Sequence, residues 1–231
     1  MTGQERDREG QPHKPCAQAL YTGPFAATTV TARPSDSSPP PEAALPAEEA
    51  ECVRRLHAAL GISPEWITAR GLPRMPLAAR LEACGEDVSG RPVRLLPEAA
   101  AAWRELHAAA ESAEIDLVVI SSFRDLGHQS TLVRRRLERG QRLEEALRVV
   151  APPGYSEHHT GRALDLAEGT HPVLEEDFES SLAFAWLQEH AGQFGFRLSY
   201  PRGNPWGFIH EPWHWAWNPC PLHARTHPDR S

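Results

Sequence analysis

Cysteine is scarce and never closely paired in this 231-residue chain: Cys16, Cys52, Cys84 and Cys220 stand apart with no C-x-x-C spacing. That pattern signals neither a cysteine-based zinc site nor a disulfide framework, and it leaves the redox compartment open. Long apolar runs are missing as well. The amino terminus, MTGQERDREGQPHKPC, is polar and charged, without the hydrophobic core of a signal peptide, and no stretch is long enough to span a membrane. Nor do basic residues gather. Against 31 Asp and Glu there are 24 Lys and Arg, a formal charge of -7, and no basic block is interleaved with aromatics, which argues against a nucleic-acid partner. The most basic run, VRRRLERGQR, reads as the solvated face of a helix. No internal repeat is visible.

What the chain does have is enough apolar material, 40% of its residues, for one sizeable core with appendages. Residues 1–45 include ARPSDSSPPPEAALP, rich in Pro and Ser, and read as an extended or disordered leader. Residues 46–93 are expected to pack on the core. Within them Cys52, Val53, Leu56 and Leu60 follow helical spacing up to Gly61, and the rest, SPEWITARGLPRMPLAARLEACGEDVSGRP, reads as irregular.

The second half is better marked. LPEAAAAWRELHAAAESAEI predicts a helix with Ala100, Trp103, Leu106 and Ala110 on one face, and IDLVVISSF a buried strand. Helices follow over DLGHQSTLVRRRLERG and LEEALRVV, and another over SLAFAWLQEHAGQFGF breaks at Gly195. RLSY and the aromatic FIHEPWHWAW complete the strands. Helices and strands mix without a regular βαβ alternation, so the expected class is α+β.

The chemistry-bearing stretch is SEHHTGRALDL, Ser156 to Leu166. It sets Asp165 between Leu164 and Leu166, where an ionised carboxylate needs a cation, an arginine or a metal as partner. Downstream, HEPWHW brings Glu211 and His214. Two imidazoles and a carboxylate are an ordinary three-ligand set for catalytic zinc, with water in the fourth position. A bare H-x(6)-D spacing is weak evidence on its own among 12 histidines. The joint pattern is stronger. Ser156, His158, Gly161, Ala163 and Asp165 stand as S-x-H-x-x-G-x-A-x-D, and Glu211, Trp213 and His214 as E-x-W-H. Upstream, SSFRDLGHQ resembles S-G-Y-R-x-x-x-x-Q at Ser121, Arg124 and Gln129.

In that order the motifs strongly resemble the VanY-type D-alanyl-D-alanine carboxypeptidases, from about Arg94 to Trp217. The resemblance implies a Hedgehog/DD-peptidase fold, a small antiparallel sheet with helices packed on it and zinc on the concave side. It places a peptidase domain over residues 94–220, followed by a tail at 221–231. It implies one Zn2+ per chain held by His158, Asp165 and His214, with Glu211 as general base. Arg124 is expected in catalysis or substrate binding, and Gln129, Ser156 and Trp213 in substrate binding. His159 is expected outside the ligand set, and Glu157, a rival base, in a structural role. Pro212 places Glu211 at a strand entrance or bulge.

The implied reaction is hydrolysis of the terminal peptide bond of a peptidoglycan stem peptide or muropeptide, with D,D- or L,D-preference open. An endopeptidase or a D-Ala-D-Ala dipeptidase on the same fold, a non-catalytic metal-stabilised module, and an incidental histidine cluster are the alternatives. Phe123, Ala216 and Trp217 stand where the family often has tyrosine, a basic residue and tyrosine, which puts the preference for the terminal residue in doubt. The substrate class implies the cell envelope or periplasm, whereas the amino terminus leaves a cytoplasmic location open.

Overall fold

The computed structural model describes residues 46–169 and 174–218. The expected leader and carboxy-terminal tail lie outside these residues. Six helices, α1 (Ala47–Leu60), α2 (Pro64–Arg70), α3 (Pro97–Ser112), α4 (Leu126–Glu138), α5 (Leu143–Ala146) and α6 (Leu182–His190), accompany six strands among them. The strands are β1 (Glu82–Glu86), β2 (Pro92–Leu95), β3 (Leu117–Ser121), β4 (Ala163–Glu168), β5 (Phe196–Leu198) and β6 (His214–Trp217).

β1 and β2 form an antiparallel pair, and the other four form an antiparallel sheet in the order β3-β4-β6-β5. This is the α+β arrangement expected from the sequence. None of the helices in the described residues is long and apolar enough to cross a membrane.

Alternation along the strands decides which face carries chemistry. Leu164, Leu166 and Trp215 point into a core shared with Trp103 and Leu106 of α3 and Phe184 and Leu187 of α6. Asp165 lies between the two leucines and therefore faces the other way, as does His214 beside Trp215. Asp165 and His214 are direct cross-strand partners. Antiparallel register thus brings together two residues 49 positions apart in the chain.

Most helices end where their sequences direct. Gly61 takes a left-handed conformation after α1, and Pro97 occupies the first turn of α3. On α3, Ala100, Trp103, Leu106 and Ala110 are buried as their spacing predicts.

Two parts of the irregular reading need correction. Ser63 caps a seven-residue helix, α2, by accepting from the Trp66 amide at 3.2 Å. The ACGED stretch pairs with β2 through a turn organised by Asp87, whose Oδ1 accepts from the amides of Ser89 and Arg91 at 2.9 and 3.0 Å. Both helix α5 and strand β6 are also shorter than their motifs suggested. A second core joins α1, α2 and α4 through Val53, Ile67, Leu126 and Val133, with Tyr200 and Phe208 from the segment before β6.

Candidate metal centre

Three side chains meet on the face of the sheet opposite the Trp103–Leu106 core. His158 comes from a 3-10 turn, Glu157–Thr160, that leads into β4; Asp165 comes from β4 itself, and His214 opens β6. Asp165 Oδ1 lies 3.2 Å from His158 Nε2 and 3.0 Å from His214 Nδ1. One donor atom from each residue falls within 4.8 Å of the other two, and all three residues are buried. Donor atoms in a tetrahedral site with bonds of ~2.0 Å sit about 3.3 Å apart, so the cradle has the size and the mixed N/O chemistry that zinc takes.

The outward nitrogens of both imidazoles are held from behind. His158 Nδ1 donates to the Ser122 carbonyl at 2.6 Å, and His214 Nε2 donates to Glu157 Oε2 at 2.8 Å. These bonds aim Nε2 of His158 and Nδ1 of His214 at Asp165, the arrangement in which a metal-binding histidine is fixed in tautomer and ring angle. Tyr200 packs on the ring of His214, with centroids 4.7 Å apart.

Gly161 closes the turn with φ of +65°. A Cβ there would meet the Leu96 amide nitrogen at 2.9 Å, so the glycine of the motif is required by backbone approach as well as by conformation.

His159 differs from its neighbour in role. Its Nδ1 donates to the Arg124 carbonyl at 2.6 Å and its Nε2 accepts from the Gly154 amide at 3.0 Å. Both nitrogens serve the backbone, which ties the turn to the segment following β3.

Electrostatics follow from burial and from Arg124. Burial, reinforced by the neighbouring Arg124 charge, takes the His158 pKa down to about 4, which leaves a neutral imidazole at neutral pH. Burial alone would raise Asp165, but His158 and Arg124 hold it well below the usual carboxylate range. Burial opposes charge on His214 too, yet hydrogen bonds to Asp165 and Glu157 take it up to about 10. Positive charge is therefore favoured between the two carboxylates. Arg124 bonds Asp165 Oδ2 through Nη2, and its Nε donates to Ser121 Oγ at 2.9 Å. An arginine and two imidazoles therefore compensate the carboxylate set between two leucines.

Glu211 lies just ahead of β6, after its amide donates to the Tyr200 carbonyl at 3.0 Å. This is the strand entrance that Pro212 requires. Its Oε2 is 3.9 Å from His214 Nδ1, and burial pushes its pKa up to about 8.

A cavity of about 730 Å³ opens over this cradle and is lined by His158, Asp165, His214, Glu211, Arg124, Gln129, Ser156 and Trp213 among others. Gln129 is buried, contrary to a plain helix-surface role. Its Nε2 donates to the Ala151 carbonyl at 2.7 Å, while its buried Oε1 has no protein partner. Trp213 lines the cavity and also belongs to the core under the sheet.

Sequence reasoning overlooked Tyr200 and the link between Glu157 and His214. A contact spanning 57 positions leaves no local signal.

Residues 92–220, more than half of the chain, match the family model for VanY, D-alanyl-D-alanine carboxypeptidase. The chain belongs to the VanY family. YodJ of Bacillus subtilis (strain 168), which carries a provisional carboxypeptidase name, is 32% identical over 133 residues, 56% of this chain and 47% of that protein.

Among solved structures, the LD-carboxypeptidase LdcB superposes with a TM-score of 0.56 at 26% identity, covering 61% of this chain and 69% of that one. A mutant of the vancomycin-resistance D,D-pentapeptidase VanY in complex with Zn(II) superposes with a TM-score of 0.50 at 24% identity, covering 63% and 83%. The fold of this VanY-family chain is thus the Hedgehog/DD-peptidase fold. The chain spans about half the length, or less, of the first curated relatives it matches.

Proposed function

We propose that this protein is a zinc-dependent carboxypeptidase acting on the terminal peptide bond of peptidoglycan stem peptides, with one Zn2+ held by His158, Asp165 and His214. The observation that carries the reading is the convergence of two imidazoles on one carboxylate, with a fourth group, Glu211, beside them and free of any coordination duty. Zinc in such a set lowers the pKa of a bound water from 15.7 to about 7 and polarises the scissile carbonyl.

The chain's own residues supply the remainder. Glu211 takes the proton of the attacking water and returns it to the departing amine, serving as base and then as acid. Its elevated pKa suits the second duty, and a cation in the cradle favours the ionised form needed for the first. Glu157 and the Ser122 carbonyl keep the ligand nitrogens aimed.

Arg124, on the cavity floor with part of its fork on Asp165, is the group proposed to meet a peptide carboxylate or the developing oxyanion. Gln129, Ser156 and Trp213 line the wall of the cavity that would receive the peptide. The cell envelope, where such peptides reside, is the proposed site of action.

The test is product analysis. Zinc-loaded full-length protein is incubated with a stem pentapeptide, and the products are weighed by mass spectrometry. One released terminal amino acid supports the carboxypeptidase, and a larger fragment indicates an endopeptidase. Glu211→Gln is expected to keep zinc and lose turnover. A variant that stays fully active removes Glu211 from the reaction.

A further inference from the structure

The cavity over the cradle has a charged wall that the chemistry just described does not use. Along α4 and at its C-cap, His128, Gln129, Leu132, Arg135, Arg136 and Arg139 all line it. Their spacing of three and four places them on one face of the helix. The opposite faces are spoken for: Leu126, Ser130 and Val133 are buried, and Arg134 is exposed and does not line the cavity. The run VRRRLERGQR is largely exposed, as a solvated helix face would be, and three of its arginines also border the cavity.

Two other cavity arginines are committed, Arg124 to Asp165 and Arg91 to Asp87. Among the described residues no carboxylate forms an ion pair with Arg135, Arg136 or Arg139, although the chain carries a net charge of -7 and acids are abundant. Arg136 has only a side-chain bond to Gln141 Oε1, at 3.2 Å. Glu175 and Glu176 also line the cavity, and Glu176 lies 3.4 Å from Arg202. A helix carboxyl end attracts cations, which explains basic residues in the last turn. It does not explain why three of them line the cavity with no ion-pair partner among the described residues, Arg136 feeling only the more distant charge of Glu211.

Resting on the carboxypeptidase reading, we propose that Arg135, Arg136 and Arg139 form a subsite for a carboxylate on the substrate, upstream of the scissile bond. Distance along the helix fixes where. From Gln129, which lines the same cavity as the cradle, to Arg135 and the C-cap residue Arg139 is six to ten residues, or about 9 to 15 Å at 1.5 Å per residue. An extended peptide covers that span in about three or four residues at ~3.3–3.6 Å each. The favoured substrate therefore carries a free carboxylate, rather than a carboxamide, three or four residues to the amino-terminal side of the bond cut. A guanidinium fork accepts a carboxylate with two parallel hydrogen bonds and loses both charge and one acceptor when the group is amidated.

Matched peptides ending in D-alanyl-D-alanine, with glutamate or glutamine three residues upstream of the scissile bond, test this on the zinc-loaded full chain. The acid is expected to exceed the amide in kcat/KM by about tenfold at low salt, with the ratio shrinking as salt rises. Arg135→Gln with Arg139→Gln should bring the ratio close to one, Arg135→Glu with Arg139→Glu should invert it, and Arg134→Gln should leave it as it is. A wild-type ratio near one, or a ratio indifferent to the paired substitutions, overturns the subsite while leaving the peptidase standing. If neither peptide is cleaved, the peptidase reading fails and the same ratio is read as binding of fluorescent peptides by anisotropy. A preference for the acid that the paired substitutions abolish still upholds the subsite, and equal binding overturns it.

Discussion

The floor of the cavity and its α4 wall are built on opposite plans. On the floor every charged group has a partner: Asp165 meets two imidazoles and an arginine, and His214 lies between Asp165 and Glu157. On the wall three guanidiniums form no ion pair among the described residues, and only Arg136 feels a nearby carboxylate, that of Glu211. The floor comes from paired strands and a tight 3-10 turn, where positions are set by backbone hydrogen bonds, whereas the wall comes from long side chains on a helix. Groups that must hold a geometry are buried and cross-braced, and groups that only attract can stay in water.

The largest effect that this contrast predicts is at Asp165. Asp165→Ala should abolish stoichiometric zinc and lower the stability of the metal-free chain by about 3–5 kcal/mol, because Arg124 is left largely buried without its carboxylate. Metal analysis and denaturant unfolding measure the two losses. Equal stability would put the floor on the same footing as the wall.

A pH effect of similar size is expected at His159. Burial takes its pKa down to about 4, against a backbone hydrogen bond that acts the other way, so the folded chain keeps it neutral where the unfolded chain takes up a proton near 6.5. Nothing is lost above pH 6.5. As pH falls from 6.5 to 4 the unfolded state binds the extra proton and stability drops by on the order of 3 kcal/mol. Metal-free His159→Asn should lack that part of the slope in unfolding followed across this range.

A smaller change tests the brace behind the metal. Glu157→Gln should weaken zinc binding by about 10- to 100-fold in chelator competition, since Gln holds the His214 Nε2–H less strongly than a carboxylate does. The least effect belongs to the wall. Arg139→Gln should leave stability within ~0.5 kcal/mol by thermal unfolding, as for other exposed positions away from packed contacts.

Legibility in the sequence follows the same division. Helices α1 and α3 could be read from their apolar spacing and caps, and the face of β4 from Leu164, Asp165 and Leu166 in alternation. The β1–β2 hairpin could not. EACGE is mostly exposed, contains a glycine and offers no β-branched residue, so its pairing shows only in the partner strand. Motif resemblance brought together His158, Asp165, His214 and Glu211, and the cross-strand pairing of Asp165 with His214 shows why such distant residues meet. Gln129 was ambiguous because helical spacing alone does not say which face closes a cavity. The arginines of α4 were read as a solvated face, and Arg134 and Arg135 are exposed; only the tertiary arrangement shows that Arg135 also borders the cavity.

X-ray absorption at the zinc edge of the loaded full chain bears most directly on the proposed cradle. Nitrogen and oxygen neighbours alone at about 2.0–2.1 Å are predicted, with that spectrum lost in His214→Ala. Sulfur neighbours at about 2.3 Å, or a chain that gives up its zinc on simple desalting at neutral pH, would contradict it.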